Sequence, residues 1–360
     1  MRRPLDSPFS PGADTVPEVW AGRTKQLSEW RDIVRHRRIA GTPERGRTIL
    51  GEAGMGKSSL VRRIAREASE AGDWVTPQLR IPSGTDPLKR LASALLELAA
   101  TAGLPSRREK RISHLLSRVE SVSAAGLSFS LRENDGPEAY TVLTELLVEI
   151  GRAARSQRDT MILIHIDAAQ NITDEKVLSQ LLIALGDTLS HVDAISVPGG
   201  GRVECALPVE VYLTGLPEFA DMAGARKGAT FARRFATTTL APLSDEDLEA
   251  ALQPFLVEGW PIRGKDGTAD RVHMDPQAIR SIVELSCGEP FLFQLAGERA
   301  WYADTDLTIT PHDVMQGWED VKSEAAAHVS RILSRLPGRE REFLEAMAEL
   351  SESDSDSHRK

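Results

Sequence analysis

Cysteine is nearly absent from this chain: 360 residues contain two, Cys205 and Cys287. They make no disulfide framework and no metal-ligand spacing, which suits a reducing compartment. No run of about 18 apolar residues occurs, so no helical membrane span is expected. The opening MRRPLDSPFSPG lacks an apolar centre and does not read as a secretory signal. A cytoplasmic protein with no membrane attachment is the resulting expectation. Net positive charge is also missing. The formal charge of −9 argues against a general polyanion-binding surface, while leaving room for a local basic patch. Neither a G-x-S-x-G nucleophile elbow nor a His/Cys/Glu grouping with metal spacing is found. The remainder, 41% hydrophobic and 27% charged residues, is ordinary globular material, and the length allows two or three domains.

One stretch stands out. Gly51, Glu52, Ala53, Gly54, Met55, Gly56, Lys57 and Ser58 fit G-x-x-x-x-G-K-[ST] at every fixed position. Thr48-Ile-Leu50 before them is a short apolar run suited to a buried parallel strand. After them Leu60, Val61, Ile64, Ala65 and Ala68 recur at helical spacing as far as Gly72,. Strand, glycine loop and helix together make an anion site, because backbone N–H groups and the helix N-terminus surround phosphate oxygens. Lys57 would reach the β- and γ-phosphates, and Ser58 would ligate Mg2+.

The rest of the chain predicts an α/β protein with a parallel sheet, then helices. Residues 1–18 read as a flexible leader. A helix after Val19-Trp-Ala-Gly-Arg23 carries Arg31, Arg35, Arg37 and Arg38 away from its apolar face. They would either form a solvated face or touch nucleic acid or a partner. A second strand is expected over 74–81 and a helix over 87–102. Residues 104–136 read as an insertion with a basic knot (107–111) and a hairpin, followed by a helix over 138–155. Met161–Ile166 is a continuous apolar run, as a strand buried on both faces requires, and it ends at Asp167. A helix over 175–189 and a strand over 209–213 ending at Thr214 follow. From Leu243 onward only helices are expected, forming a lid domain over 243–335. The P-loop domain is placed at 19–242. Residues 336–350 read as the start of a winged helix and 351–360 as a disordered acidic tail.

Asp167 stands at the carboxyl end of a buried strand, where open α/β sheets place their ligand chemistry, and it would complete the Mg2+ shell. Many ATPases of this kind put a glutamate directly after that aspartate. Here the residue is Ala168, and a methyl group neither takes a proton nor orients a water. The chain is then a nucleotide-gated binder, or uses another residue such as Gln170, or carries an engineered replacement. Thr214 would contact the γ-phosphate or a water. In Phe231-Ala-Arg-Arg-Phe235 two arginines, Arg233 and Arg234, stand between aromatic anchors and suit an arginine finger; a structural salt bridge is the alternative. No N-K-x-D guanine-reading motif is present, which favours adenine.

These pieces in this order resemble the AAA+-like and STAND ATPases, especially the bacterial and archaeal group related to origin-recognition ATPases. The resemblance covers about 18–350. It implies ATP or ADP with Mg2+ held between a P-loop αβα sandwich and a helical lid. Trp20, Gly22 and Arg23 would border the adenine and Ser59 would lie at the phosphates. Thr214 would be sensor 1, Arg233 the finger, and Pro290 of Cys287-Gly-Glu-Pro a lid contact. The lid motif lacks the arginine of AAA+ sensor 2, which leans toward the STAND side. The expected function is an ATP-dependent oligomerising switch with weak or absent hydrolysis, in defence or signalling. The partners implied are further copies of the chain or another protein. A DNA-associated remodelling ATPase of the replication or transposition type is the alternative, and a scaffold with a structural nucleotide is a third.

Overall fold

The structure is a computed structural model that describes residues 1–12, 15–82, 84–102, 114, 139–196, 199–223, 233–263 and 269–357. The central sheet has strands β1 (Gly46–Leu50), β2 (Trp74–Val75), β3 (Leu79–Arg80), β4 (Ile162–Asp167), β7 (Val209–Gly215) and β8 (Phe235–Thr239). Their order is β2-β4-β7-β1-β8, with β3 also on β4, and every pairing is parallel. The expected strand over 74–81 is therefore two short pieces on the same edge.

The apolar run of β4 has a direct structural reason. Ile162, Ile164 and Ile166 pack into a core with helices Pro87–Thr101, Ala139–Arg155 and Glu175–Leu189. Met161 and Leu163 face the other way, into a core with Trp30, Leu60 and Ile64. Because side chains alternate across a strand, burial on both faces needs an apolar residue at nearly every position. The result is the three-layered, P-loop ATPase arrangement of a parallel sheet with helices on both faces.

The helix after Arg23 runs as Thr24–Ser28, a π-wound piece Glu29–Val34, and Arg35–Ile39. Its arginines are neither a free cationic patch nor a merely solvated face. Arg31 bonds Glu67 at 2.8 Å, Arg35 bonds Asp73 at 2.7 Å, and Arg37 pairs with Glu44. Arg38 is fully buried, 2.8 Å from the equally buried Glu210 of β7. The helix is thus tied to the sheet by charge as well as by Trp30.

Four features depart from the sequence reading. β8 pairs along β1 through a Thr-rich segment, and an antiparallel hairpin, β5 (Val192–Ser196) and β6 (Arg202–Ala206), stands outside the main sheet. The C-terminal domain is built on helices Asp245–Val257, Pro276–Ser286, Pro290–Tyr302 and Pro311–Leu333. It also carries a small sheet of β9 (Trp260–Arg263), β10 (Ala269–Met274) and β11 (Thr308–Ile309), so it is predominantly rather than wholly helical. Lastly, the N-terminal residues are packed rather than loose: Phe9 is 3% exposed and sits in the core of the helical domain. Composition alone suggested a leader, but one aromatic anchor outweighs its polar neighbours.

Helix entries follow their capping residues. The Asp86 and Asp174 carboxylates accept from backbone N–H groups of the helices they precede, and Ser244 accepts from Asp247,. Thr310 and Asp313 form a capping box,. The region expected as the start of a winged helix is a single helix, Gly338–Ser357, which runs into the stretch expected as a disordered tail. The hairpin and basic knot expected within 104–136, and Phe231, lie outside the described residues.

Candidate functional site

Three neighbouring strands end together. β1 leads into the glycine loop, β4 ends at Asp167, and β7, standing between them, ends at Thr214-Gly215. The carboxyl edge of a parallel sheet is where such folds bind ligands, and here the sequence puts its polar groups on that edge.

Asp167 is the hub. One of its oxygens accepts from the Ser58 hydroxyl at 3.0 Å and from the Thr214 hydroxyl. The other accepts from the Gln78 amide at 2.5 Å and, at 3.5 Å, from Arg80. Burial alone would raise the Asp167 pKa. The donors from Thr214, Ser58 and Gln78, with His165 nearby, outweigh it and hold the group below the usual carboxylate range,. Gln78 and Arg80 were not singled out from sequence; they arrive because β3 pairs with β4 at Leu79↔Ile166 and Arg80↔Asp167. His165 shares this strand but is buried, and burial lowers its pKa to about 4.

The loop has left-handed backbone at Gly54 (φ 89°) and Gly56 (φ 75°), a conformation that glycine takes without strain. Lys57 Nζ donates to the carbonyls of Gly51 and Glu52 at 2.7 Å each. Burial lowers the Lys57 pKa, with Asp167 and Glu52 opposing the shift. Ala168, beside Asp167, is also left-handed (φ 56°). Gln170 Oε1 accepts from the backbone of Leu216 at 3.2 Å, next to Thr214.

A cavity of about 330 Å3 opens above the loop. Ala53 to Ser59 line one end; Val19, Trp20, Ala21 and Arg23 border it, and the helical domain closes it with Pro290 and Phe293. Gly22, Gly51 and Glu52, expected at the nucleotide, are not among the lining residues. Gly22 (φ 58°) is packed against Asp247 and Leu243 instead, while Gly51 and Glu52 serve as acceptors for Lys57. Arg23 bonds the carbonyls of Ala241 at 2.8 Å and Met55 at 3.2 Å, fastening the loop to the exit of β8. Trp20 donates its indole N–H to Gly22 at 2.9 Å and lies under the Arg63 guanidinium.

The helical domain reaches further into the site than its Cys287-Gly-Glu-Pro turn suggested. Phe291 N–H donates to Gly54 O at 3.2 Å. Glu289 and His328 form a 2.5 Å pair, and a side chain at Gly54 would collide with both. Arg331 lines the same cavity one turn on from His328. A cation from the lid is thus present, although it comes from helix Pro311–Leu333 rather than from the G-E-P turn. Its sequence signal was the i, i+3 spacing of His328 and Arg331 on one helical face.

Arg233 and Arg234 lie elsewhere. Arg234 pairs with Asp187, while Arg233 is exposed with no ion-pair partner among the described residues. Both precede Phe235, which registers with Gly46 at the start of β1, whereas the loop follows the end of β1.

The donor set fits a hydrated Mg2+. Ser58 and Asp167 stand together, and no group of three or more His, Cys, Asp or Glu residues gathers for a metal among the described residues. Magnesium in phosphate sites takes one or two protein oxygens, with phosphates and waters completing its shell.

Residues 19–195 match the AAA ATPase domain family. This part of the chain is similar to AAA ATPase domains. The Aeropyrum pernix ORC2 protein, solved as ADPNP-ADP complexes, is similar at 14% identity over 86% of this chain and 70% of that one, with a TM-score of 0.52. The Aeropyrum pernix ORC1 protein, solved in complex with DNA, gives 15% identity over 91% and 72%, with a TM-score of 0.49. At 14% identity the likeness to the ORC2 protein is one of fold alone. No curated protein matches the chain. A nucleotide with Mg2+ is what the AAA family implies, and the grouping of Lys57, Ser58 and Asp167 is compatible with it.

Proposed function

We propose that the AAA ATPase domain binds ATP or ADP with Mg2+ and acts as a nucleotide-dependent oligomerising switch whose hydrolysis is weak or absent. The observation that supports this most is a phosphate site with Lys57, Ser58, Asp167 and Thr214 gathered but only a methyl group at Ala168. Lys57 would exchange its loop carbonyls for the β- and γ-phosphates. Ser58 and Asp167 would hold the metal, which supplies charge for phosphate binding, and Thr214 would face the terminal phosphate. Arg331 and Pro290 would contact the nucleotide from the helical domain and report its presence there.

Arg233 would complete the site of a neighbouring copy. An ATP molecule contacted by two subunits stabilises their assembly by mass action. A cytoplasmic switch in defence or signalling is the setting that family analogy suggests. Sedimentation velocity with and without Mg-ATP tests the reading: a faster species with ATP is expected, and an unchanged monomer would refute it. The DNA-associated alternative draws on Arg31 to Arg38 and on Arg107 to Arg111; Arg31, Arg35, Arg37 and Arg38 have carboxylate partners within the chain, and 107–111 lie outside the described residues.

A further inference from the structure

We infer that residues 1–12 form a strap walling the base end of the nucleotide cavity, so that nucleotide affinity depends on their docking to the helical domain. This rests on the reading that nucleotide occupies the cavity, and it adds a subsite to that reading.

The strap is fastened at several points. Its backbone is held at two points: Arg2 N–H donates to Thr305 O at 2.8 Å, and the Trp301 indole donates to Arg3 O at 2.8 Å. The Arg2 side chain is fully buried and pairs with Asp304, yet its Nε and Nη1 have no hydrogen-bond partner. A buried charge so incompletely satisfied is a poor source of stability. The anchor is Phe9, stacked on Phe255 at 5.9 Å and edge-on to Phe293 at 6.3 Å. The space it fills exists because residue 297 is glycine, where any Cβ would collide with the Phe9 ring.

Past Phe9 the strap turns into the site. Ser10 N–H donates to Gln294 Oε1 at 2.9 Å, and Gln294 Nε2 donates to Val19 O at 2.8 Å. One lid amide therefore holds both the strap and the segment bordering the cavity. Ser10, Pro11 and Gly12 line the cavity together with Val19, Leu243 and Phe293. These residues are mostly apolar, and the phosphate-binding Lys57 belongs to the loop end of the same space. Flat, weakly polar surface is what the face of a purine ring buries well. The ligand portion at the strap is accordingly the nucleoside, and the phosphates meet the loop. Gln294 transmits the arrangement: a lid moved away from the loop would carry Phe9, Ser10 and the base wall with it.

Gly297→Ala tests this without changing the sequence of the loop or of the strap. It lies inside a helix, where alanine is favoured over glycine, and its added methyl evicts Phe9. A deletion of residues 2–12 is the second variant, and hydrogen exchange of the strap amides reports release. Binding of Mg-ATP is measured by calorimetry, and inorganic tripolyphosphate serves as a probe of the phosphate end alone. Both variants should weaken Mg-ATP about tenfold, the loss expected for roughly 50 Å2 of apolar contact, and leave tripolyphosphate binding unchanged. Wild-type ATP affinity with the strap released or deleted would overturn the inference, and so would an equal loss for both ligands. Lys57→Ala is the control for the underlying reading: if it binds Mg-ATP like the wild type, the cavity is not the nucleotide site, whatever the strap does.

Discussion

At the scale of single residues the candidate site gathers Lys57, Ser58, Asp167 and Thr214 and places a methyl group at Ala168. Ala168 has left-handed backbone (φ 56°) and directly follows the Asp167 carboxylate at the end of β4. Ala168→Glu supplies a carboxylate able to accept a proton from water, a contribution typically about 10²–10⁴-fold in rate. Phosphate release should rise within that range while Mg-ATP affinity stays near wild type. No increase would mean that Gln170 or another residue already positions the water, or that geometry excludes it. His165 makes a separate prediction about stability. Its pKa falls from 6.5 to about 4 on burial, so between those values the unfolded chain binds more protons than the folded one. Stability from this residue is thus present above pH 6.5 and is lost as pH falls toward 4. The change between pH 7 and 4.5 should be about 2 kcal/mol. Urea unfolding of the wild type and His165→Leu measures it: the variant should show the smaller pH dependence.

At the scale of elements, the pair joining helix 35–39 to β7 is the clearest test of how the helical layer is held. Arg38 and Glu210 are both fully buried, and Arg38 also bonds the carbonyls of Leu189 at 3.2 Å and Glu44 at 2.7 Å. Burial raises the Glu210 pKa, with Arg38 and Arg47 opposing it. Removing one partner leaves the other charge unpaired in the interior, at a cost of roughly 3–5 kcal/mol. Arg38→Ala should therefore lower the unfolding midpoint strongly, whereas Arg37→Ala, at an exposed pair, should change stability by less than about 1 kcal/mol. Equal small effects would show that the pair is not coupled to folding.

The same contrast explains which elements were legible in the sequence. β1, β4 and β7 are buried on both faces; the apolar run of β4, Ile49-Leu50 of β1 and Val211–Leu213 of β7 announce them, although Arg47, Thr48 and Glu210 are buried there too. β8 runs along the sheet edge and alternates Phe235, Ala236 and three threonines, a weak pattern beside the arginines before it. β9 contains Pro261 and β10 alternates charged with apolar residues, so both resemble loop punctuation until their pairing is seen. At the site, Lys57, Ser58, Asp167 and Thr214 were readable because each stands at a fixed place relative to a strand end. Gln78, Arg80, His328 and Arg331 were not, because strand pairing and helix packing across long sequence separations bring them in. The pairing of Arg31, Arg35 and Arg38 was hidden for the same reason, since Glu67, Asp73 and Glu210 are distant in sequence.

At the scale of the whole molecule, the sheet separates the two halves of the proposed interface. Phe235 registers with Gly46, so Arg233 lies at the end of β1 where the strand begins, and the phosphate loop lies where it finishes. Five residues of strand span on the order of 16 Å, at about 3.3 Å per residue, so an arginine at one end does not serve a phosphate at the other within one copy. If Arg233 acts on ATP it acts on a neighbour's, through a head-to-tail contact in which each copy gives a finger and offers a site. Lys57→Ala should keep the finger but lose the nucleotide, and Arg233→Ala should keep the nucleotide but lose the finger. Neither variant alone should assemble with Mg-ATP. Mixed together, Arg233→Ala can bind ATP and receive the finger of Lys57→Ala, forming one sound interface per pair. Sedimentation should then show a dimer in the mixture that is absent from either solution alone and disappears without Mg-ATP. Assembly of Arg233→Ala by itself would remove the finger from the mechanism. Failure of the mixture, with both variants folded, would mean that the contact requires two occupied sites.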